Sequence, residues 1–206
     1  VVTNNTAAHI KEIYEFYRKQ NWDYQQYIAC LDPLDEEHGK NSYALSPEQY
    51  KDFLITLFHL WYEDWKKGCQ PYIRQFENYI GILMGYRPEA CDQCGVCNIQ
   101  NAVEADGSVY PCDFYVLDEW RVGNLCQESL RQVWDQAQKS GFLTREREPL
   151  ALCEQCPYRS MCGGGCRRMR REVYYAPGAA ACGHRIFLDA VIDRLRQLAT
   201  LHQRRP

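Results

Sequence analysis

The sequence predicts the closing strand–helix units of a parallel α/β barrel, followed by a small cysteine-rich α+β domain with a β-hairpin and a C-terminal helix. Three observations lead there. Short apolar runs alternate with helical apolar periodicity over residues 1–85, ten of the twelve cysteines lie beyond residue 90, and an Asp-Gly turn signal sits among those cysteines.

The elements follow in order. Val1 to Thr3 reads as the end of a strand, and Ile10, Ile13, Tyr14 and Tyr17 recur at helical spacing after the cap-like Asn5 and Thr6. Tyr24 to Cys30 then reads as a short strand, which completes a strand–helix–strand piece of a parallel barrel. Opening on Val in the middle of such a unit, the chain reads as a fragment whose missing part lies upstream. The clearest helix is announced by Ser46-Pro47-Glu48-Gln49, in which Ser caps, Pro takes the first helical position and Gln completes a capping box. Tyr50, Phe53, Leu54, Leu57, Phe58, Trp61 and Trp65 form its apolar face, a core stripe, and Gly68 supplies the stop. A second helix with Tyr72, Ile73, Phe76, Tyr79, Ile80 and Leu83 in phase ends at Gly85, which puts the domain boundary between 1–85 and 86–206.

Within the second part, Asn101 to Ala105 and Ser108 to Cys112 flank Asp106-Gly107, the signal for a two-residue hairpin turn, so Cys112 ends the returning strand. Ser129 is placed to cap a helix carrying Leu130, Val133, Trp134 and Ala137, and the chain closes on a helix built from Leu188, Val191, Ile192, Leu195 and Leu198. Gly163-Gly164-Gly165 separates Cys162 from Cys166, where residues without side chains let backbone wrap close to a metal or form a plain loop.

Eight cysteines can be written as two arrays, Cys91, Cys97 and Cys112, then Cys153, Cys156, Cys162, Cys166 and Cys182. Disulfides suit small secreted domains with poor cores, whereas 206 residues at 46% hydrophobic and 13% aromatic can bury a core, and no signal peptide opens the chain. The thiols and the missing signal lead to an expectation of the reducing cytoplasm. Zinc and iron–sulfur both accept four thiolates, and the residues alone leave both open. Cys91-x2-Cys94-x2-Cys97 starts like a bacterial ferredoxin run, but Asn101 stands where its fourth cysteine belongs. Cys162-x3-Cys166 starts the pattern of a radical-initiating cluster, but Met169 stands where its third cysteine belongs. The run Arg167-Arg168-Met169-Arg170-Arg171 reads as a solvated face or as an offset to the charge of thiolate-bound iron–sulfur. A net charge of −3 argues against nucleic acid, and neither nucleic acid nor a membrane is expected as a partner. The five histidines show no metal spacing. Cys30, Cys69 and Cys126 are expected as ordinary small buried residues.

These residues carry a resemblance. Ala90-Cys91, Cys97, the string Val103-Glu104-Ala105-Asp106-Gly107-Ser108-Val109-Tyr110-Pro111-Cys112-Asp113-Phe114-Tyr115, and Cys153-x2-Cys156-x5-Cys162-x3-Cys166-x15-Cys182 resemble the auxiliary-cluster (SPASM) domain of anaerobic sulfatase-maturating enzymes. Gln26 to Leu34 is similar to the last part of that family's partial TIM-like barrel. These are radical S-adenosylmethionine enzymes that oxidise a sulfatase Cys or Ser to formylglycine. The resemblance implies two [4Fe–4S] clusters in this chain, one on Cys91, Cys97, Cys112 and a lent Cys166, the other on Cys153, Cys156, Cys162 and Cys182. It leaves Cys94 outside both.

It also implies Asp113 as the catalytic proton acceptor, Leu31 as a contact to S-adenosylmethionine, and S-adenosylmethionine with a third [4Fe–4S] cluster in the full enzyme. The implied partners are a sulfatase polypeptide and an electron-acceptor protein such as a ferredoxin or flavodoxin. Because the radical-cluster motif is not among these 206 residues, the chain alone is expected to be inactive. The alternative expectations are a non-catalytic zinc or iron–sulfur scaffold that binds a partner peptide, or a SPASM maturase of another peptide.

Overall fold

A computed structural model describes residues 1–34, 36–144, 151–176 and 178–203, and all but the side chain of Arg171 among them. Val2 lies beside Ala29 in a parallel bridge, with Val2 N–H donating to the Ile28 carbonyl at 2.7 Å and Cys30 N–H to the Val2 carbonyl at 2.8 Å. Between them run α1 (Asn4–Ala8) and α2 (Ile10–Lys19). The cap of α1 is Thr3, in a capping box with Thr6, rather than Asn5 or Thr6, because Thr3 has extended backbone and its side chain reaches the Thr6 N–H. Only Tyr24–Gln25 of the expected strand forms a ladder, as β1, paired in parallel with β2 (Tyr72–Ile73). Tyr72 and Ile73 therefore belong to a strand and not to the following helix, α4 (Arg74–Leu83). Helical phase alone does not separate them, since two residues, one exposed and one buried, are too few to show a strand period.

The long helix α3 (Pro47–Lys66) starts as the sequence dictates: Ser46 Oγ accepts the Gln49 N–H and Gln49 returns to the Ser46 N–H, with Pro at the first helical position. Its apolar face packs on the closing helix, α9 (Gly183–Gln203). Phe58, Trp61, Phe76 and Phe187 meet at centre-to-centre distances of 5.2 Å for Phe58–Phe76, 5.4 Å for Trp61–Phe76 and 6.2 Å for Phe76–Phe187. Trp61 satisfies its buried indole N–H on the Pro71 carbonyl at 2.9 Å. This core spans α1 to α4 and α9 and takes in Met161, Met169, Val173 and Tyr174 from the cysteine-rich part. Among the described residues no helix is long and apolar enough to cross a membrane.

A second, smaller core of Ile99, Val109, Tyr115, Val122, Val133, Ala137 and Phe142 lies under a three-stranded antiparallel sheet, β3 (Ala102–Val103), β4 (Ser108–Tyr110) and β5 (Gly123–Asn124), with α6 (Leu130–Lys139) behind it. Ser129 caps α6 through a capping box with Gln132, as expected. The hairpin closes differently from the two-residue turn. Gly107 N–H donates to the Glu104 carbonyl and Glu104 N–H to the Ser108 carbonyl, both at 2.9 Å, so three residues, Ala105, Asp106 and Gly107, form the loop, with Gly107 left-handed at φ 85°. Strand β5 escaped the sequence because Gly-Asn has little strand preference; its pairing with β4 supplies what propensity lacks.

One buried polar strut ties the two parts. Glu172 Oε2 accepts the Asp32 N–H at 3.0 Å, and Arg168 pairs with Glu172 and donates to the Asp32 carbonyl. The Asp32 carboxylate in turn accepts from Gly39 N–H at 2.7 Å and Asn41 Nδ2 at 3.0 Å. The chain after Leu31 is thus fastened to the chain after Cys166.

Phe58 is fully buried at the junction of α3, α4 and α9. Phe58→Ala is expected to cost about 3–5 kcal/mol, seen as a lower urea midpoint at unchanged slope. Leu130→Ala, at a 59% exposed position, is expected to stay within about 0.5 kcal/mol.

Candidate metal centre

The cysteines are positioned by short, irregular pieces held between the two cores. Cys91 opens the single turn α5 (Cys91–Cys94), which ends on Gly95 at φ 75°. Cys97 follows in irregular chain, and Cys112 sits just beyond β4 with extended backbone, φ −154° and ψ 141°. Cys166 follows the three glycines. These four line one cavity of about 200 Å³, together with Asp92, Gln93, Asn78 and Asp113. Cys153 in α7 (Ala151–Glu154), Cys156, Cys162 at the end of α8 (Arg159–Cys162) and Cys182 before α9 line a second, tighter cavity of about 30 Å³. Cys182 Sγ accepts the Arg185 N–H at 3.3 Å, so the start of α9 is aimed at that sulfur.

Two glycines bring the arrays together. A Cβ on Gly163 (φ 54°) would lie 2.3 Å from Gly95 Cα and N, and a Cβ on Gly95 would lie 2.8 Å from the Gly163 carbonyl oxygen. The backbone of the first array therefore touches the backbone of the second, with no room for a side chain on either. Close by, the Tyr174 hydroxyl donates to Asp92 Oδ2 at 3.5 Å, the Tyr174 ring meets that of His184 at a tilt of 56° with centres 4.9 Å apart, and the His184 Nε2 meets the Tyr79 hydroxyl. Burial lowers His184 to about 4, so its imidazole is neutral, and burial raises Asp92 above the usual carboxylate range.

Burial also governs the thiols. It pushes Cys91 up to about 11, Cys112 to about 12 and Cys162 to about 11, and it raises Cys166 and Cys182. Neighbouring thiols add to this within each set: Cys166 and Cys97 act on Cys91, and Cys156, Cys182 and Cys153 act on Cys162. These sulfurs stay protonated at neutral pH until a cation displaces the protons. Donor chemistry fits a thiolate-bound metal group at both cavities. Of the buried side-chain groups that line the cavities without a hydrogen-bond partner among the described residues, Asn78 Nδ2 on the first and Arg170 Nε on the second are donors that fit an acceptor-rich, anionic guest.

Asp113 is exposed at the first cavity, and the Cys112 thiol donates to its Oδ1 at 3.4 Å. Leu31 is half-buried against the larger core and is not among the residues lining either cavity. Cys94 turns away, its thiol donating to the Pro88 carbonyl at 3.3 Å. Cys30 is half-buried, but Cys69 and Cys126 are exposed and not buried as expected. They sit in turns, where their thiols donate to the Asp64 and Asp106 carbonyls.

The arginine run is not a solvated face. Arg168 and Arg170 are each 8% exposed: Arg168 is drawn inward by Glu172 and the Asp32 carbonyl, Arg170 opens the π-helical turn Arg170–Tyr174 and reaches Cys153, and Arg167 stacks on Tyr115 and Phe142. The side chain of Arg171 lies outside the described residues. Gly95 is not marked in the sequence, since nothing local singles out one glycine as the residue that meets the other array, whereas Arg170 belongs to the run expected to offset thiolate charge and donates to Cys153 Sγ at 3.7 Å.

One further acid cluster, Asp32, His38 and Glu172, converges within 4.8 Å. It already carries Arg168 as its cation and serves as the strut.

Gly163→Ala requires the Gly95 backbone to move. It is expected to lower stability by more than Gly68→Ala, whose Cβ meets nothing within 4 Å at a similar φ of 72°. Both substitutions carry the left-handed strain, so the difference in urea midpoint isolates the contact between arrays.

Comparison with known proteins places these features. The SPASM family, an iron-sulfur cluster-binding domain, matches residues 91–157. A cysteine-type anaerobic sulfatase-maturating enzyme of Clostridium perfringens (strain 13 / Type A) is 41% identical over 170 residues, 82% of this chain and 46% of its own length. A serine-type one of Bacteroides thetaiotaomicron is 27% identical over 186 residues, 82% of this chain and 44% of its own length. The solved structure of native anSMEcpe with bound AdoMet and Cp18Cys peptide is 36% identical at a TM-score of 0.81, covering 97% of this chain and 56% of that one. The chain spans about half the length of the curated relatives it matches. It is thus similar to the anaerobic sulfatase-maturating enzymes over that half, and its residues 91–157 match the SPASM iron-sulfur cluster-binding domain.

Proposed function

We propose that this chain is the C-terminal part of a radical S-adenosylmethionine oxidoreductase that oxidises a Cys or Ser of a sulfatase polypeptide to formylglycine. In this reading residues 1–85 close a partial barrel and residues 86–206 hold two [4Fe–4S] clusters. Cys91, Cys97, Cys112 and Cys166 hold the first, and Cys153, Cys156, Cys162 and Cys182 the second. The observation that carries it is the sorting of eight thiols into two cavities of four, with a carboxylate, Asp113, beside the first.

Sulfur spacing favours clusters over zinc. Four thiolates about 2.3 Å from one zinc ion stand about 3.8 Å apart. Among the described residues no three cysteine sulfurs fall within 4.8 Å of one another. Four irons hold their thiolates farther apart than one ion does, so the wide setting counts against the zinc scaffold.

Clusters bound there supply one-electron acceptance and, with every iron on a protein thiolate, no vacant site for substrate. The residues of the chain do the rest. The Asp113 carboxylate is exposed to an incoming peptide and takes the proton of the substrate thiol or hydroxyl at Oδ1 or Oδ2, a general-base role that needs only hydrogen-bond reach. Phe114, Tyr115 and Phe142 wall the cavity with apolar surface and keep water from the reacting side chain. Leu31 would help to hold S-adenosylmethionine, whose own cluster would belong to the longer enzyme, and an electron-acceptor protein such as a ferredoxin or flavodoxin of the reducing cytoplasm would take up the electron.

After anaerobic reconstitution, about eight irons and eight sulfides per chain are expected, the content of two [4Fe–4S] clusters. Stoichiometric zinc without sulfide would end this reading. In the complete enzyme, Asp113→Asn is expected to keep cluster content and peptide binding but lose at least about 100-fold in formylglycine formation, the usual worth of a general base. Near-normal turnover by mass spectrometry of the peptide would remove Asp113 from that role.

A further inference from the structure

The two cysteine cavities differ in charge. Among the described residues lining the second there are three guanidinium groups, Arg159, Arg170 and Arg185, and no carboxylate. The first is lined by Asp92 next to Cys91, Asp113 next to Cys112, and Glu89. Its two arginines are already engaged: Arg74 pairs with Glu89 at 3.4 Å, and Arg167 stacks at 4.7 Å on Phe142.

Within the second cavity Arg170 is the unusual group. Arg159 is exposed and Arg185 pairs with Asp189 at 3.6 Å. Arg170 is 8% exposed and its Nη2 donates to Cys153 Sγ at 3.7 Å, while its Nε, like that of Arg185, makes no hydrogen bond among the described residues. A buried guanidinium facing neutral thiols is costly, and one facing four thiolates is compensated. The arginine therefore makes electrostatic sense only when the sulfurs around it carry charge.

We propose that Arg170 is a positioning residue for charge. It compensates the thiolates of the second set and holds the reduction potential of the group bound there above that of the group bound by the first set. This rests on the reading that both cavities hold iron–sulfur clusters. A cation and an N–H···S bond favour the more negative, reduced state, so both contributions raise the potential, whereas carboxylates at the first set lower it. The consequence is a direction: one electron leaves the first centre, which is oxidised by one, and enters the second, which is reduced by one. No proton moves and no bond changes in that step.

The test is an EPR-monitored redox titration of the anaerobically reconstituted protein, with iron and sulfide counted first. Two midpoints are expected in the wild type. Arg170→Gln should lower the higher midpoint by at least 59 mV, a tenfold change in a one-electron equilibrium constant, and leave the lower one in place. Arg170→Lys, which keeps the charge, should recover most of the shift. Should the Gln variant bind only one cluster while the Lys variant binds two, the charge role is also supported. Equal midpoints in all three proteins, or a shift confined to the lower midpoint, overturn the proposal while leaving the two-cluster reading intact. A wild type without iron and sulfide removes both.

Discussion

The contact between Gly95 and Gly163 is the constraint on which the rest depends. Each array is too short and irregular to hold its own sulfurs in place: α5, α7 and α8 are single turns of four residues. Such turns have almost no intrinsic stability, because a helix nucleus fixes several dihedrals for each hydrogen bond gained. Their geometry comes from being pressed together. With the backbones touching, Cys162 faces one cavity while Cys166, four residues on, faces the other, and the glycines between them make the reversal possible.

The two hydrophobic cores serve that contact from either side. The larger, built on α3, α4 and α9, delivers Cys182 at the start of α9 and buries Met161 and Met169, which flank Cys162 and Cys166. The smaller, under the three-stranded sheet, delivers Cys112 and Asp113 and buries Ile99 close to Cys97. The strut of Asp32, Arg168 and Glu172 closes the ring by fixing the segment after Leu31 to the same stretch of chain. Thiols, carboxylate and strut are each supplied by different elements, so the site exists only in the assembled fold.

Much of this was legible in the sequence, for identifiable reasons. The helix from Pro47 to Lys66 was readable because cap, first-turn proline and apolar stripe all agree, and local signals that agree also specify the structure. The division of eight cysteines into two fours came from a family resemblance rather than from spacing, and the two cavities gather the same two groups. The illegible parts share a cause. β5 is a strand only because β4 pairs with it, Tyr72 and Ile73 form a strand only because β1 is there, and Arg168 is buried because the Asp32 segment lies against it. In each case the decisive neighbour lies far along the chain, where local periodicity carries no information.

The place of Cys166 in the cavity of Cys91, Cys97 and Cys112 bears on the order of events during synthesis. Cys91, Cys97 and Cys112 leave the ribosome as an incomplete set of three, and their fourth member follows about fifty residues later. At 5–20 residues per second that gap leaves three thiols open to oxidants and to stray soft metals for several seconds. The second set has a shorter wait, about twenty residues, for Cys182, which arrives only as α9 begins. A chain wired in this way gains from being loaded late and all at once, after its last helix has docked.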